Sequence, residues 1–120
     1  DSKRRMVMKR GEIWWASMGE PKGSEPGYRH PVVIASTNSF NDSLIQTIIA
    51  VVITSNIRLA DAPGNFKLPK SKVGLSKDSV VNISQVITLD KTYFTNQIGK
   101  LNTKQIYQLN DGLKLVFGIS

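Results

Sequence analysis

The sequence predicts a mainly antiparallel β fold that ends in one helix. Three observations predict it. Short β-branched or aromatic runs recur between Pro- and Gly-rich breaks, one of these runs is apolar without interruption, and the apolar period lengthens to three and four residues only near the end.

The first strand is expected over Gly11–Met18, where Ile13, Trp14 and Trp15 favour extended backbone. The following stretch, residues 19–27, carries two prolines and three glycines and reads as a long loop. Pro31 opens a second strand that runs to Ser36, because a proline is tolerated at the start of a strand and β-branched residues follow it. Thr37–Asp42 reads as a turn. Thr47–Thr54 is a continuous apolar run, the pattern of a strand covered on both faces at the centre of a sheet. After a punctuated segment, Asn65–Leu68 alternates as a short edge strand, and Ser79–Asp90 is a longer strand with a break near Ser84 and Gln85. From Thr103 onwards Ile106, Leu109, Leu113 and Val116 or Phe117 form one helical stripe, with Asn102 or Thr103 as its cap.

A length of 120 residues gives one core, assigned to residues 9–120. Residues 1–8 are expected to be an unstructured basic extension or an expression remnant. The chain has no cysteine and a single histidine, which excludes a disulfide scaffold, a thiolate nucleophile and a Cys- or His-rich metal site. The expected chemistry therefore uses no metal and no cofactor. The longest apolar run, Ile48–Ile53, is six residues, far short of the roughly 20 that span a bilayer. No membrane partner is expected, and the expected compartment is the cytoplasm.

Sixteen Lys and Arg against nine Asp and Glu give a net charge of +7, which favours a polyanionic partner. Five of those cations lie in the first ten residues, and without that segment the balance falls to eleven against eight. Charge alone therefore fits a solvated surface as well as a binding face.

The residues that could carry chemistry fall into three sets. Tyr28, Arg29 and His30 stand together where the loop enters the second strand. A guanidinium offers a fork of donors to phosphate and an imidazole can give or take a proton, so the pair has the parts for phosphodiester chemistry. A lone histidine at such a junction is equally well explained by a bond to the backbone. Thr54, Ser55 and Asn56 follow the buried strand and would emerge at the rim of the sheet, as donors to a phosphate or as ordinary turn residues. Asn82, Ser84 and Gln85 interrupt an apolar strand, so they mark either a bulge or part of a site. Trp14 and Trp15 must face opposite ways on a strand, leaving at most one of them free to stack on a base.

In their order and spacing these segments resemble the MazF/PemK (Kid) family of toxin endoribonucleases. The resemblance rests on Arg10–Trp14, on Gly23–Tyr28 leading into Pro31–Ile34, on Ala50–Asn56, on Pro63–Asn65 and on Asp78–Gln85. It implies an SH3-like, partly open β-barrel with a C-terminal helix, in a homodimer that binds single-stranded RNA along the subunit interface. It further implies metal-independent cleavage of mRNA to 2′,3′-cyclic phosphate and 5′-hydroxyl ends, and an antitoxin that blocks the groove. The family's threonine falls on Thr54. Its arginine stands directly before the proline, the position of His30 here, with Arg29 one place earlier. Either His30 exchanges protons while Arg29 holds the phosphate, or a local turn carries Arg29 into the usual place. Ser24, Glu25 and Tyr28 would shape the groove or touch RNA, as would Ser55, Asn56, Asn82, Ser84 and Gln85. Some members place an acid where Ser84 stands. Two alternatives belong to other classes: a non-catalytic toxin of the CcdB type acting on a protein such as gyrase, and a basic RNA-binding module.

Overall fold

The computed structural model describes residues 7–19 and 29–120, so the loop residues Ser24, Glu25 and Tyr28 lie outside it. Six strands form one antiparallel sheet: β1 (Glu12–Ser17), β2 (Arg29–Ile34), β3 (Thr47–Thr54), β4 (Phe66–Leu68), β5 (Ser79–Asp90) and β6 (Phe94–Lys100). Their spatial order is β4-β5-β3-β2-β1-β6. The uninterrupted apolar run is therefore an interior strand, and β4 is an edge strand.

Two apolar layers lie on opposite faces of this sheet. Along β2, Val33 joins one layer while its neighbours Val32 and Ile34 join the other, as the two-residue period of a strand requires. In β3, Val51 and Ile53 belong to the first layer and Ile48 and Ala50 to the second, which is why the strand has no polar face. Trp14 enters the second layer at 5 % exposure, whereas Trp15 stays half-exposed on the opposite face. Met8 is also buried in the second layer, and its carbonyl accepts a bond from Asn41 Nδ2. Residue 8 is thus part of the packed domain, which the sequence reading began at Lys9.

The helix α3 (Thr103–Phe117) covers the first layer with Leu109, helped by the half-buried Ile106 and Leu113. Its start is fixed by Asn102, whose side chain accepts from Gln105 N–H while the Gln105 side chain accepts from Asn102 N–H. Such a reciprocal cap contributes about 1 kcal/mol. The expected stripe does not stay covered to its end: Val116 is 45 % and Phe117 57 % exposed.

Three expectations need correction. Thr37–Asp42 is not a plain turn but the helix α1 (Asn38–Asp42), capped by the Thr37 hydroxyl accepting from Phe40 N–H. The second strand starts at Arg29, two residues before Pro31. The strand β6 and the short helix α2 (Lys70–Val73) were not read from the sequence at all. These two missed elements meet. Val73 at the end of α2 lies against Gly99 of β6, its carbonyl occupying the space a Cβ would need. Since α2 follows one edge strand and β6 is the other, this contact draws the two edges of the sheet together into a curled half-barrel. Among the described residues, no helix is long and apolar enough to cross a membrane.

Candidate active site

The β2–β3 ladder runs from Ile34↔Ala50 to Val32↔Val52 and stops there. The next residue of β2 is Pro31, which has no N–H with which to extend it. Past this point the two strands bound a cavity of about 250 Å³. Trp15 of β1, Arg29, His30 and Pro31 of β2, and Ile53 and Ser55 at the end of β3 line it. Leu75, Ser76 and Lys77, from the connection between α2 and β5, and Ser79 at the start of β5 line it as well.

Strand register explains how the basic pair is set. Arg29 pairs with Ser17 and His30 with Ala16, so the two side chains leave β2 on opposite faces, Arg29 on the face of Trp15. The exposed guanidinium lies over the Trp15 ring and donates from Nη2 to Asn96 Oδ1 of β6 at 3.3 Å. His30 is half-buried, and its Nδ1 is fully enclosed with no hydrogen-bond partner among the described residues. Continued two places, the β2–β3 register sets His30 opposite Thr54.

Thr54 is half-buried and does not line the cavity, but it stands between Ile53 and Ser55, which do. Its Oγ1 accepts from Asn56 N–H at 3.1 Å, which fixes the oxygen and leaves the O–H able to donate. Asn56 is exposed and accepts from Arg58 N–H, capping the 3₁₀ turn Ile57–Asp61.

The structure does not bring the third set to this place. Ile53 pairs with Val81 and Val51 with Val86, so β5 carries three extra residues opposite Val52, and the polar side chains of Asn82, Ser84 and Gln85 sit on that bulge. Asn82 donates to Gln85 Oε1 and accepts from Ser84 Oγ, each at 2.9 Å, and Asn65 Nδ2 donates to Asn82 Oδ1 at 3.2 Å. These side chains satisfy one another where the apolar strand is interrupted, and none lines the cavity.

The sequence reading missed the part of the lining that comes from the approach to β5. Lys77 and the hydroxyls of Ser76 and Ser79 were available as a signal, a cation set among serines directly before a strand, but no role was given to them. With Arg29, His30 and Ser55 they give a lining of cations and hydroxyls with no Asp or Glu among the described residues, although the His30 side chain leaves β2 on the face opposite Arg29. Such a lining suits an anion, and a phosphate above all.

Comparison with known proteins bears on the family and the fold. The family model for the PemK-like, MazF-like toxin of type II toxin-antitoxin systems matches residues 9–117. The chain is 41 % identical over 114 residues to "Endoribonuclease MazF6" of Mycobacterium tuberculosis, covering 95 % of this chain and all of that one. It is 33 % identical to "Endoribonuclease MazF" of Staphylococcus saprophyticus over 94 % of this chain and 93 % of the relative. Among solved structures, the MazE-MazF complex of Deinococcus radiodurans superposes with a TM-score of 0.78 at 22 % identity, covering 97 % of this chain and 100 % of that one, a match of fold. The chain belongs to the PemK-like, MazF-like toxin family of type II toxin-antitoxin systems.

Proposed function

We propose that this chain is an endoribonuclease toxin that cuts single-stranded RNA, mRNA in the cell, by metal-independent transesterification. The observation that carries the reading is that Arg29, His30 and Ser55 line one cavity to which no carboxylate contributes among the described residues, with Thr54 beside it, in a chain 41 % identical to a named endoribonuclease. In the reaction the ribose 2′-oxygen attacks the adjacent phosphorus and loses its proton, the P–O5′ bond breaks, and the departing 5′-oxygen gains a proton. The products are a 2′,3′-cyclic phosphate and a 5′-hydroxyl, so DNA, which lacks the nucleophile, is not cut.

Each group has one part. The Arg29 guanidinium, an N–H fork pre-set by Trp15 and Asn96, holds the charge that develops on the phosphoryl oxygens. His30 exchanges protons with the reacting oxygens. Thr54, its oxygen fixed by Asn56 N–H, donates its O–H to the scissile phosphate, and Ser55 adds a second hydroxyl. Opposite faces of β2 suit a division of labour in which Arg29 binds charge and His30 moves protons. Ser24, Glu25, Tyr28 and Asn56 flank the path of the RNA. Asn82, Ser84 and Gln85 contribute only by holding the β5 bulge.

The toxin works in the cytoplasm as a homodimer and is silenced by a cognate antitoxin. The uncovered end of α3 supports the dimer: Phe117 and Ile119 border an apolar cavity of about 490 Å³ against Ile49 and Val86. The antitoxin is supported by the family and by the MazE-MazF complex that this fold matches. The test is incubation of the purified protein with a long single-stranded RNA in excess EDTA, beside the matching DNA, with product ends identified by mass spectrometry. The expected result is RNA cleavage alone, with cyclic phosphate ends. RNA left intact overturns the reading and turns attention to a protein target or a binding-only role.

A further inference from the structure

Lys77 lines the same cavity as Arg29 and His30, on the connection that leads into β5. The Ser79 hydroxyl donates to the Lys77 carbonyl at 3.0 Å, which fixes the backbone on either side of Asp78. Asp78, the neighbouring carboxylate that would otherwise neutralise the ammonium, is committed elsewhere: its Oδ1 accepts from Lys70 N–H at 2.9 Å at the start of α2. Lys77 itself is exposed, and among the described residues its ammonium makes no hydrogen bond or ion pair. It has no evident part in holding the fold together.

Charge accounting gives it a task. A phosphodiester carries one negative charge, and the phosphorane formed when a 2′-alkoxide attacks carries two. Arg29 matches one of these. His30, if it is to take and return a proton, cannot also remain a fixed cation. Resting on the ribonuclease reading above, we propose that Lys77 is a second catalytic cation, which binds a non-bridging oxygen of the scissile phosphate from the side opposite Arg29 and neutralises the charge gained in the transition state. It exchanges no proton and forms no covalent bond. Because β3 separates β2 from β5, the phosphate is gripped between elements that are not hydrogen-bonded to each other, and a cavity of about 250 Å³ accommodates the phosphate and its ribose while leaving the bases outside.

The test compares Lys77→Gln and Lys77→Arg with the unaltered protein in single-turnover cleavage of a long single-stranded RNA. Binding is followed in parallel, over a range of salt, on an uncleavable oligodeoxynucleotide of the mapped cleavage sequence. For Lys77→Gln the cleavage rate is expected to fall about 100-fold, the size of loss seen when one preorganised donor to a developing oxyanion is removed. Its salt slope on the oligodeoxynucleotide is expected to shrink by about 0.7, one phosphate contact on a single strand. The melting temperature should not move, since the side chain is exposed. Lys77→Arg, which keeps the charge, should cut faster than Lys77→Gln. The proposal is overturned if Lys77→Gln cleaves within about fivefold of the unaltered protein, or if Lys77→Arg is no better than Lys77→Gln, either of which leaves less than a charge effect of this kind. Failure of the unaltered protein to cut any RNA overturns the ribonuclease reading instead, so the two failures are distinct.

Discussion

The Arg29 guanidinium carbon lies 4.6 Å from the centroid of the Trp15 ring, a cation resting on an aromatic face at the mouth of the cavity. Trp15 is thus neither a core residue like Trp14 nor simply a free stacking surface. Such a contact at an exposed site contributes about 0.5–1 kcal/mol. Trp15→Leu is therefore expected to lower kcat/KM for RNA cleavage about two- to fivefold by loosening Arg29. Arg29→Ala removes the charge itself and should cost about 100-fold or more. Steady-state kinetics on one RNA substrate measure both, and equal losses would show that Trp15 does more than orient its neighbour.

Thr54→Ala removes a strand-end hydroxyl without opening a large cavity. Cleavage should slow about 100-fold while the melting temperature stays within about 2 °C of the unaltered protein. Thr54→Ser, which keeps the O–H, should recover most of the rate. Normal cleavage by Thr54→Ala would remove this residue from the site. In the same assay His30→Ala is expected to lose activity as Arg29→Ala does, and full activity in His30→Ala would leave Arg29 alone in charge of the chemistry.

Gly99→Ala tests the closure of the sheet. The added Cβ would meet the backbone carbonyl of Val73, and backbone cannot swing aside as the tip of a side chain can. A loss of about 1–3 kcal/mol is expected, the usual cost of overpacking, measured as a lowered urea midpoint. A variant as stable as the parent would mean that α2 is free to move off β6.

Acid should weaken the 3₁₀ turn Lys91–Tyr93 only below about pH 4. Asp90 accepts from Thr92 N–H at 2.9 Å and from the Thr92 hydroxyl at 2.7 Å, and these bonds hold its carboxyl below the usual carboxylate range. A carboxyl that ionises more readily folded than unfolded stabilises the fold above its unfolded value of about pH 4, and that contribution vanishes as pH falls through the lower folded value. Asp90→Asn keeps an acceptor but loses the charge. The stability difference between parent and variant, followed by urea unfolding at stepped pH, should be constant at neutral pH and shrink below about pH 4.

Much of this molecule was legible because its strands carry their reasons in their own residues. Thr47–Thr54 was found to the residue, since six apolar positions in a row between two threonines suit a strand held between two apolar layers. The break at Ser84 and Gln85 was visible as polarity inside an apolar run, and it is a bulge. The strand β6 was hidden because it is an edge: in Phe94–Lys100 only Phe94 is buried, so Thr95, Asn96 and Gln97 read as loop. The helix α2 is four residues long, too short for any period to show. Arg29 and His30 were read as one set and Ser55 as part of another, each because it adjoins a strand end, and only the family resemblance joined them. Lys77 was not anticipated, because its approach to them depends on the curl of the sheet, which no local pattern encodes.

That curl also sets a schedule for synthesis. Arg29, His30 and Thr54 leave the ribosome well before Lys77, and the β6 surface on which α2 rests comes later still. A nascent chain that stops short of β6 carries Arg29 and His30 but has no edge against which to hold α2 and the connection that bears Lys77. The last support of the cavity is therefore also the last strand to be made.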